Sequence, residues 1–117
     1  MTQIDTSALA RLRDMIGGDE EDLAEFIEDF SEIAPDLVKQ MVDGIASGDW
    51  NTVKIASHSL KSNSKDLGAI ALSDLCAAVE NESAQGEVDN TQEKVEQISL
   101  EMENAISAMQ ALDLAAV

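Results

Sequence analysis

The sequence predicts an all-α fold, an antiparallel up-down four-helix bundle with a short additional N-terminal helix. First, apolar residues recur at the period of an amphipathic helix along most of the chain. Second, the composition is 44% hydrophobic but only 3% aromatic, with a single proline, so aliphatic residues must fill the core. Third, the connections between the apolar segments are short, which places neighbouring helices antiparallel. A chain of 117 residues is expected to form one domain over residues 1–117.

Two helices are predicted before the centre of the chain. The first is capped by Asp5 or Thr6, runs through about Met15 and is ended by the Gly17-Gly18 pair. The second opens with the acidic run at residues 19–22, where the helix dipole favours negative charge, and ends at Gly48. Its apolar residues keep the helical period through Pro35, so we expect a kink at this proline rather than a break.

The third predicted helix carries the only histidine of the chain, His58. Asp49 is expected to be its N-cap, and Gly68 the residue that follows its C-terminus. At about 100° per residue, one narrow arc of this helix is apolar and is expected to be buried. This arc holds Val53, Ala56, Leu60 and Leu67. The opposite arc, expected to face water, holds Asn51, Lys54, His58, Lys61, Ser62, Lys65 and Ala69.

Two more helices are predicted after Gly68. The first covers about residues 71–85, and the second runs from about Thr91 to Leu112. Residues 83–92 have a turn-forming composition and predict the longest loop. The residues expected to be buried in the helix at 71–85 are Leu72, Leu75, Cys76 and Val79.

The charge balance narrows the function classes. The chain has 7 basic and 24 acidic residues, a net charge of −17, which argues against nucleic acid and against an anionic membrane surface as partners. No apolar run approaches the roughly 18 residues of a membrane span, and the N-terminus lacks the features of a signal peptide. The single cysteine, Cys76, is expected in the core and fits a reducing compartment. We therefore expect a cytoplasmic protein without a nucleic-acid or membrane partner.

The exposed face around His58 departs from this acidic background. Residues 50–69 carry three lysines and one aspartate in a chain whose total charge is −17. This positively charged face predicts a local anion site. Lysine, a mobile point charge, suits a small phosphoryl group that must arrive and leave. Ser62, one turn after His58, is small enough to leave the ring accessible.

These residues resemble the signature of histidine-containing phosphotransfer (HPt) domains. The family pattern is Ala-His-x-Leu-Lys-Gly-x-Ser, then Leu-Gly-Ala, Leu-x-x-x-Cys and a hydrophobic-Glu pair. The matching residues run from His58-Ser-Leu-Lys61-Ser-Asn-Ser64 through Leu67-Gly68-Ala69, Leu72, Leu75-Cys76 and Val79-Glu80, with Gly48-Asp49 and Phe26, Phe30 and Pro35 upstream. The resemblance spans the whole chain. Two residues depart from it: Ser57 replaces the usual Ala, and Ser62 replaces the usual Gly.

The resemblance implies a phosphorelay carrier rather than an enzyme. His58 would accept a phosphoryl group from an aspartate of a receiver domain and pass it to another receiver aspartate, while Lys61 and Ser62 hold the phosphoryl oxygens. The implied partners are receiver domains of response regulators and of hybrid histidine kinases. The implied Mg²⁺ belongs to the receiver, so no cofactor is expected in this chain. Further candidates for the phosphate or partner face are Lys54, Ile55 and Lys65.

Other function classes fit the sequence less well. A metal-binding bundle calls for paired Glu-x-x-His motifs, and the one histidine has none. A nucleophilic hydrolase calls for Ser or Cys with a histidine and an orienting acid, whereas lysines flank His58. A histidine kinase needs a nucleotide-binding domain. The alternative that stays open is a helical adaptor or sequestering protein that binds receiver domains without carrying phosphate, which only Ser62 supports. A monomer is expected because no additional apolar face is apparent.

Overall fold

The computed structural model describes residues 3–86 and 90–117, and within these residues the structure is helical without strands. The prediction of an all-α bundle is confirmed. The elements are α1 (Thr6–Met15), α2 (Glu20–Ser47), α3 (Trp50–Asp66), α4 (Ile70–Gln85), α5 (Thr91–Gln110) and a 3₁₀ helix (Leu114–Ala116). None of the helices in the described ranges is long and apolar enough to cross a membrane.

Helices α2 to α5 form a closed four-membered arrangement. Helix α3 packs against α2 and α4, and α5 packs against the same two helices from the other side. The short α1 lies against α2 and α3. One continuous apolar core joins all five α-helices. Its largest fully buried aliphatic side chains are Leu9, Leu23, Met41, Leu60, Leu67, Leu72, Ile98 and Met109.

Helix α2 is continuous over 28 residues with Pro35 inside it, so the prediction that the helix does not stop there is confirmed. Pro35 itself is exposed, whereas its neighbour Ala34 is fully buried. The N-cap is Asp19, whose side chain accepts a hydrogen bond from the Glu21 backbone N–H at 3.0 Å. The helix ends at Gly48, which adopts a left-handed conformation with φ of 74°.

The beginning of α3 is fixed by Asp49, as the sequence predicted. The Asp49 carboxylate accepts hydrogen bonds from the backbone N–H and the hydroxyl of Thr52, at 3.2 and 2.7 Å. The same two bonds hold the pKa of Asp49 below its ordinary value. Helices α2 and α3 approach closely at this end, because a Cβ atom on Gly44 would lie only 2.7 Å from Cγ2 of Val53.

Sequence-based expectations differ from the structure at the loop between α4 and α5, at Leu75 and at Ala69. Residues 83–85 belong to α4 and Thr91 and Gln92 to α5, so the predicted loop over 83–92 is shorter; residues 87–89 lie outside the described ranges. Leu75 is half-buried rather than buried. Ala69 is buried, not exposed, because α3 ends at Asp66 and the helical angle no longer applies beyond it.

The turn between α3 and α4 is also the docking point of the N-terminal segment. The backbone N–H of Asp5 donates to the carbonyl oxygen of Gly68 at 2.9 Å. Gly68 has a φ of 79°, and a Cβ atom at this position would collide with backbone atoms of Asp5. Backbone atoms cannot swing aside as a flexible side chain can, so glycine is required here for two separate reasons.

Substitution of Gly68 by alanine is therefore predicted to destabilise the fold more than the same change at Gly48. Both glycines have a positive φ, which costs about 1–2 kcal/mol for alanine, but a Cβ atom on Gly48 meets nothing within 4 Å. The collision with Asp5 adds about 1–3 kcal/mol at Gly68. Urea unfolding followed by circular dichroism measures both variants. Equal losses for G68A and G48A would contradict the close approach of Asp5.

Candidate functional site

His58 lies in the middle of α3 with 60% of its side chain exposed. The opposite arc of the helix is in the core, where Val53 and Leu60 are fully buried. The predicted division of this helix into a buried and an exposed face is therefore confirmed for His58. The exposed face also holds Asn51, Lys54, Ser62 and Lys65, as predicted, and the neighbouring Ile55.

A carboxylate from α4 contacts the histidine. Oε2 of Glu80 lies 2.5 Å from Nδ1 of His58, and Nζ of Lys61 donates to Oε1 of the same carboxylate at 2.5 Å. These three residues, from two helices, are called the His58–Glu80–Lys61 cluster below. Glu80 is the least exposed of the three residues, since only 21% of its side chain is exposed.

The packing of α4 on α3 brings Glu80 to this position. Val79 and Cys76 are fully buried in the core, so the adjacent Glu80 lies at the boundary between the core and the surface. About two turns before Glu80 in α4, the hydroxyl of Ser73 donates to the backbone carbonyl of Lys61 at 3.0 Å. This bond ties the two helices together at the residue whose side chain reaches Glu80.

The electrostatics of the cluster determine which ring nitrogen faces the solvent. The hydrogen bond from Lys61 lowers the pKa of Glu80 below 4.5, and the bond to His58 adds to this effect against the opposing effect of burial. Ionised Glu80 can only accept hydrogen bonds, so Nδ1 of His58 must carry the hydrogen. In the neutral ring the lone pair then resides on Nε2. None of the described residues forms a hydrogen bond with Nε2, and the exposure of the side chain leaves this atom open to a partner.

The other predicted site residues fall into two groups. Lys61 is half-buried and held by Glu80 rather than extended into solvent. Lys54, Ser62 and Lys65 are exposed, and neither of these lysines takes part in an ion pair between described residues. The positive charge that faces the solvent around His58 therefore comes from Lys54 and Lys65.

Sequence reasoning assigned no role to Glu80. The sequence did contain an indication of such a role, since Glu80 belongs to the hydrophobic-Glu pair of the HPt pattern. The contact joins residues 22 positions apart and depends on the register between α3 and α4, which local periodicity does not determine.

Local structure accounts for Ser57 and Cys76 but not for Ser64. Ser57, which departs from the family pattern, is buried, and its hydroxyl donates to the carbonyl of Lys54 at 3.0 Å. Cys76 is fully buried, and burial raises the pKa of its thiol to about 12, so it is protonated and unreactive. Ser64 is buried, and its hydroxyl has no partner among the described residues.

The described residues contain no cluster of three or more His, Cys, Asp or Glu side chains that could hold a metal ion. The absence of a cofactor from this chain and the presence of Mg²⁺ on the partner stay predictions.

A helical bundle that presents one exposed histidine, oriented by a carboxylate and beside lysines, has the architecture of a histidine phosphocarrier. Residues 25–112 match the family model of the Hpt domain. Because this match covers most of the sequence, the chain belongs to the Hpt domain family, whose members are phosphocarriers of signalling relays that interact with receiver domains.

Comparison of the fold agrees with this membership. The crystal structure of histidine-containing phosphotransfer protein B (HptB) from Pseudomonas aeruginosa PAO1 superimposes with a TM-score of 0.84. The alignment covers 92% of this chain and 90% of that chain at 20% sequence identity, so the two proteins share the fold. Comparison with the curated proteins found no match.

Replacement of Glu80 by glutamine is predicted to lower the free energy of unfolding by about 1–3 kcal/mol at pH 7, because it removes the negative charge that accepts hydrogen bonds from His58 and Lys61. A carboxyl with a lowered pKa stabilises the fold at pH values above its unfolded value and loses this contribution as the pH falls through its folded value. The difference between wild type and E80Q should therefore shrink below pH 4.5. Urea unfolding at pH 7 and at successively lower pH measures it.

Asp74→Asn provides the matched control, since Asp74 is an exposed acid on the same helix. Its effect should be small at both pH values. A loss in E80Q that is no larger than the loss in D74N, or that does not depend on pH, would contradict the stabilising role of the cluster.

Proposed function

We propose that the chain is a phosphorelay carrier in which His58 accepts a phosphoryl group from the aspartyl phosphate of one receiver domain and donates it to an aspartate of another. The observation that carries this proposal is the pairing of an exposed His58 with Glu80, which directs the lone pair of Nε2 towards the solvent. Membership of the Hpt domain family supports the same role.

The transfer step needs no proton acceptor. The lone pair of Nε2 attacks phosphorus, a P–N bond forms, and the P–O bond to the receiver aspartate breaks to release its carboxylate. The hydrogen on Nδ1 stays in place, so the phosphorylated ring becomes positively charged. Glu80 already accepts that hydrogen and stabilises the new charge. Return of the phosphoryl group to a second aspartate follows the same path in reverse.

The residues beside His58 are proposed to position the phosphoryl group, since in-line transfer depends chiefly on positioning and charge stabilisation. Side chains of a helix tilt towards its N-terminus, so Lys61 and Ser62 lean from the following turn towards the ring. Glu80 keeps the Lys61 ammonium group beside the histidine. Lys54 and Lys65 are proposed to add a weaker attraction for the phosphoryl oxygens, because both are exposed to water.

In this proposal the chain acts as a stoichiometric carrier and is not itself an enzyme. The receiver supplies Mg²⁺ and the acidic residues that bind it. The partners are receiver domains of response regulators and of hybrid histidine kinases, without nucleic acid. A monomeric state and a cytoplasmic location remain predictions from the composition of the sequence.

The alternative role is that of an adaptor that binds receiver domains and carries no phosphate. It is favoured only by Ser62, whose exposed side chain adds a hydroxymethyl group on the face that presents the histidine. The assay below separates the two roles.

Wild-type protein incubated with radiolabelled phospho-receivers is predicted to acquire a label that is labile in acid and stable in base, as expected for a phosphohistidine. His58→Gln should acquire none, because the attacking nitrogen is lost, whereas Ser62→Gly should be labelled at least as fast as wild type. Circular dichroism of H58Q verifies that the variant is folded. If no receiver labels wild type but S62G is labelled, the serine blocks transfer. If neither is labelled, the adaptor role is favoured.

Removal of the Glu80 carboxylate is predicted to change the tautomer of His58 and to slow transfer. In Glu80→Ala the neutral ring is no longer required to carry its hydrogen on Nδ1, so ¹⁵N NMR of the imidazole should show loss of the pure Nδ1–H form. Loss of a hydrogen bond to a charged group corresponds to a decrease of about 10–100-fold in the transfer rate. An unchanged ¹⁵N spectrum in E80A would contradict the assignment of Nε2 as the attacking atom.

A further inference from the structure

A groove of 290 Å³ lies between α1 and the C-terminal end of α3, and it is called the α1–α3 groove below. Its lining combines apolar side chains of α1 with charged side chains of both helices: Ala8, Arg11, Leu12, Met15, Lys65 and Asp66. Ala8 and Leu12 are buried, whereas Met15 is 82% exposed. The groove therefore has an apolar wall and a charged rim.

The basic side chains of this rim are unusual in the chain because acids do not neutralise them. Four of the seven basic side chains form an ion pair between described residues: Arg13, Lys39, Lys61 and Lys94. The other three, Arg11, Lys54 and Lys65, form none. Two of these three line the α1–α3 groove, and they come from different helices.

Local helix structure does not account for this pair of cations. The last turn of a helix favours a cation, so Lys65 would be ordinary on its own. The carbonyl of Lys65 and the two before it already accept backbone N–H groups, however, and do not require the ammonium group. Arg11 lies before the last turn of α1. Hydrogen bonding from Ser7 chiefly lowers the pKa of Asp5, and the charge of Arg11 makes only a small contribution.

The size and charge of the groove indicate the class of ligand. A volume of 290 Å³ is close to the lower end of small-molecule sites, about 300–1,000 Å³, and corresponds to roughly ten water-sized groups. Two cations and one acid, Asp66, leave the groove with a positive balance in a chain of net charge −17. The flexible, polarizable side chain of Met15 can adapt to an aliphatic chain.

We propose that the α1–α3 groove binds a small organic acid with one carboxylate and a short aliphatic chain. The carboxylate lies between Arg11 and Lys65, and the chain lies along Leu12 and Met15. Asp66 at the same rim repels a second negative charge, so a monocarboxylate is favoured over a dicarboxylate. This inference does not depend on the proposed function, since it involves neither phosphoryl transfer nor a receiver.

Four probes separate the contributions of charge and chain. Acetate, hexanoate, adipate and hexylammonium are titrated into the full chain at one low ionic strength, and ¹H–¹⁵N NMR follows each residue. Hexanoate has four more methylene groups than acetate, and burial of about half of them corresponds to roughly tenfold tighter binding. Adipate, with a similar chain and a second carboxylate, should bind more weakly than hexanoate. Hexylammonium should not bind.

Charge-neutral variants locate the site. Arg11→Gln and Lys65→Gln should each weaken the binding of hexanoate by about threefold, as expected for exposed charges, and Asp66→Asn should strengthen it by about twofold. Lys54→Gln is the matched control, because Lys54 is an exposed, unpaired lysine of the same helix outside the groove. It should bind hexanoate within about 1.5-fold of wild type.

Several outcomes would overturn the proposal. Hexanoate that binds no tighter than acetate, or adipate that binds tighter than hexanoate, would indicate attraction by surface charge alone. Equal losses in K65Q and K54Q would place the site elsewhere on α3. Shifts of the groove residues with protein concentration, without any probe, would indicate that a second copy of the chain covers the groove. If R11Q gives the spectrum of an unfolded protein, K65Q and D66N decide by the same comparison.

Discussion

Burial of one face of α3 is the constraint on which the site depends. Val53, Leu60 and Leu67 are fully buried, and α2 and α4 pack on either side of them. Each of these side chains contributes about 1.5–3 kcal/mol of transfer free energy, so a rotation of α3 that exposed them would lose several times that amount. The same rotation would carry lysines into the core, where an unpaired charge is costly. The core therefore fixes the direction in which His58 points.

The register between α3 and α4 is a second constraint, because it determines the orientation of the exposed histidine ring. The tight turn at Gly68 returns the chain along α3, and the bond from Ser73 to the carbonyl of Lys61 ties the two helices together. Glu80 then meets Nδ1 of His58 and the ammonium group of Lys61 at once. A carboxylate in this position holds the ring in one tautomer and one orientation, which solvent alone would leave free.

The parts of this arrangement that the sequence predicts are those encoded locally. The N-cap at Asp49, the helix end at Gly48 and the apolar arc of α3 each depend on residues within a few positions of one another, and all are found in the structure. The error at Ala69 arose because a helical angle was applied beyond the end of the helix. The contact of Glu80 was missed for a different reason, since it requires the relative positions of two helices.

The contacts of His58 with Glu80 and Lys61 serve the proposed transfer chemistry, whereas the exposed side chains around it serve the proposed recognition of a partner. The His58–Glu80–Lys61 cluster is complete within the chain, because Glu80 and Lys61 are already bonded to each other in the absence of any partner. In the proposed function, every receiver would therefore meet the same tautomer and the same nucleophilic atom. The rest of the exposed face of α3 offers Ile55 and two lysines, Lys54 and Lys65, in a chain with a net charge of −17. For the proposed carrier role modest affinity would be an advantage, because a partner that binds too tightly after transfer would keep the phosphoryl group from reaching the next one.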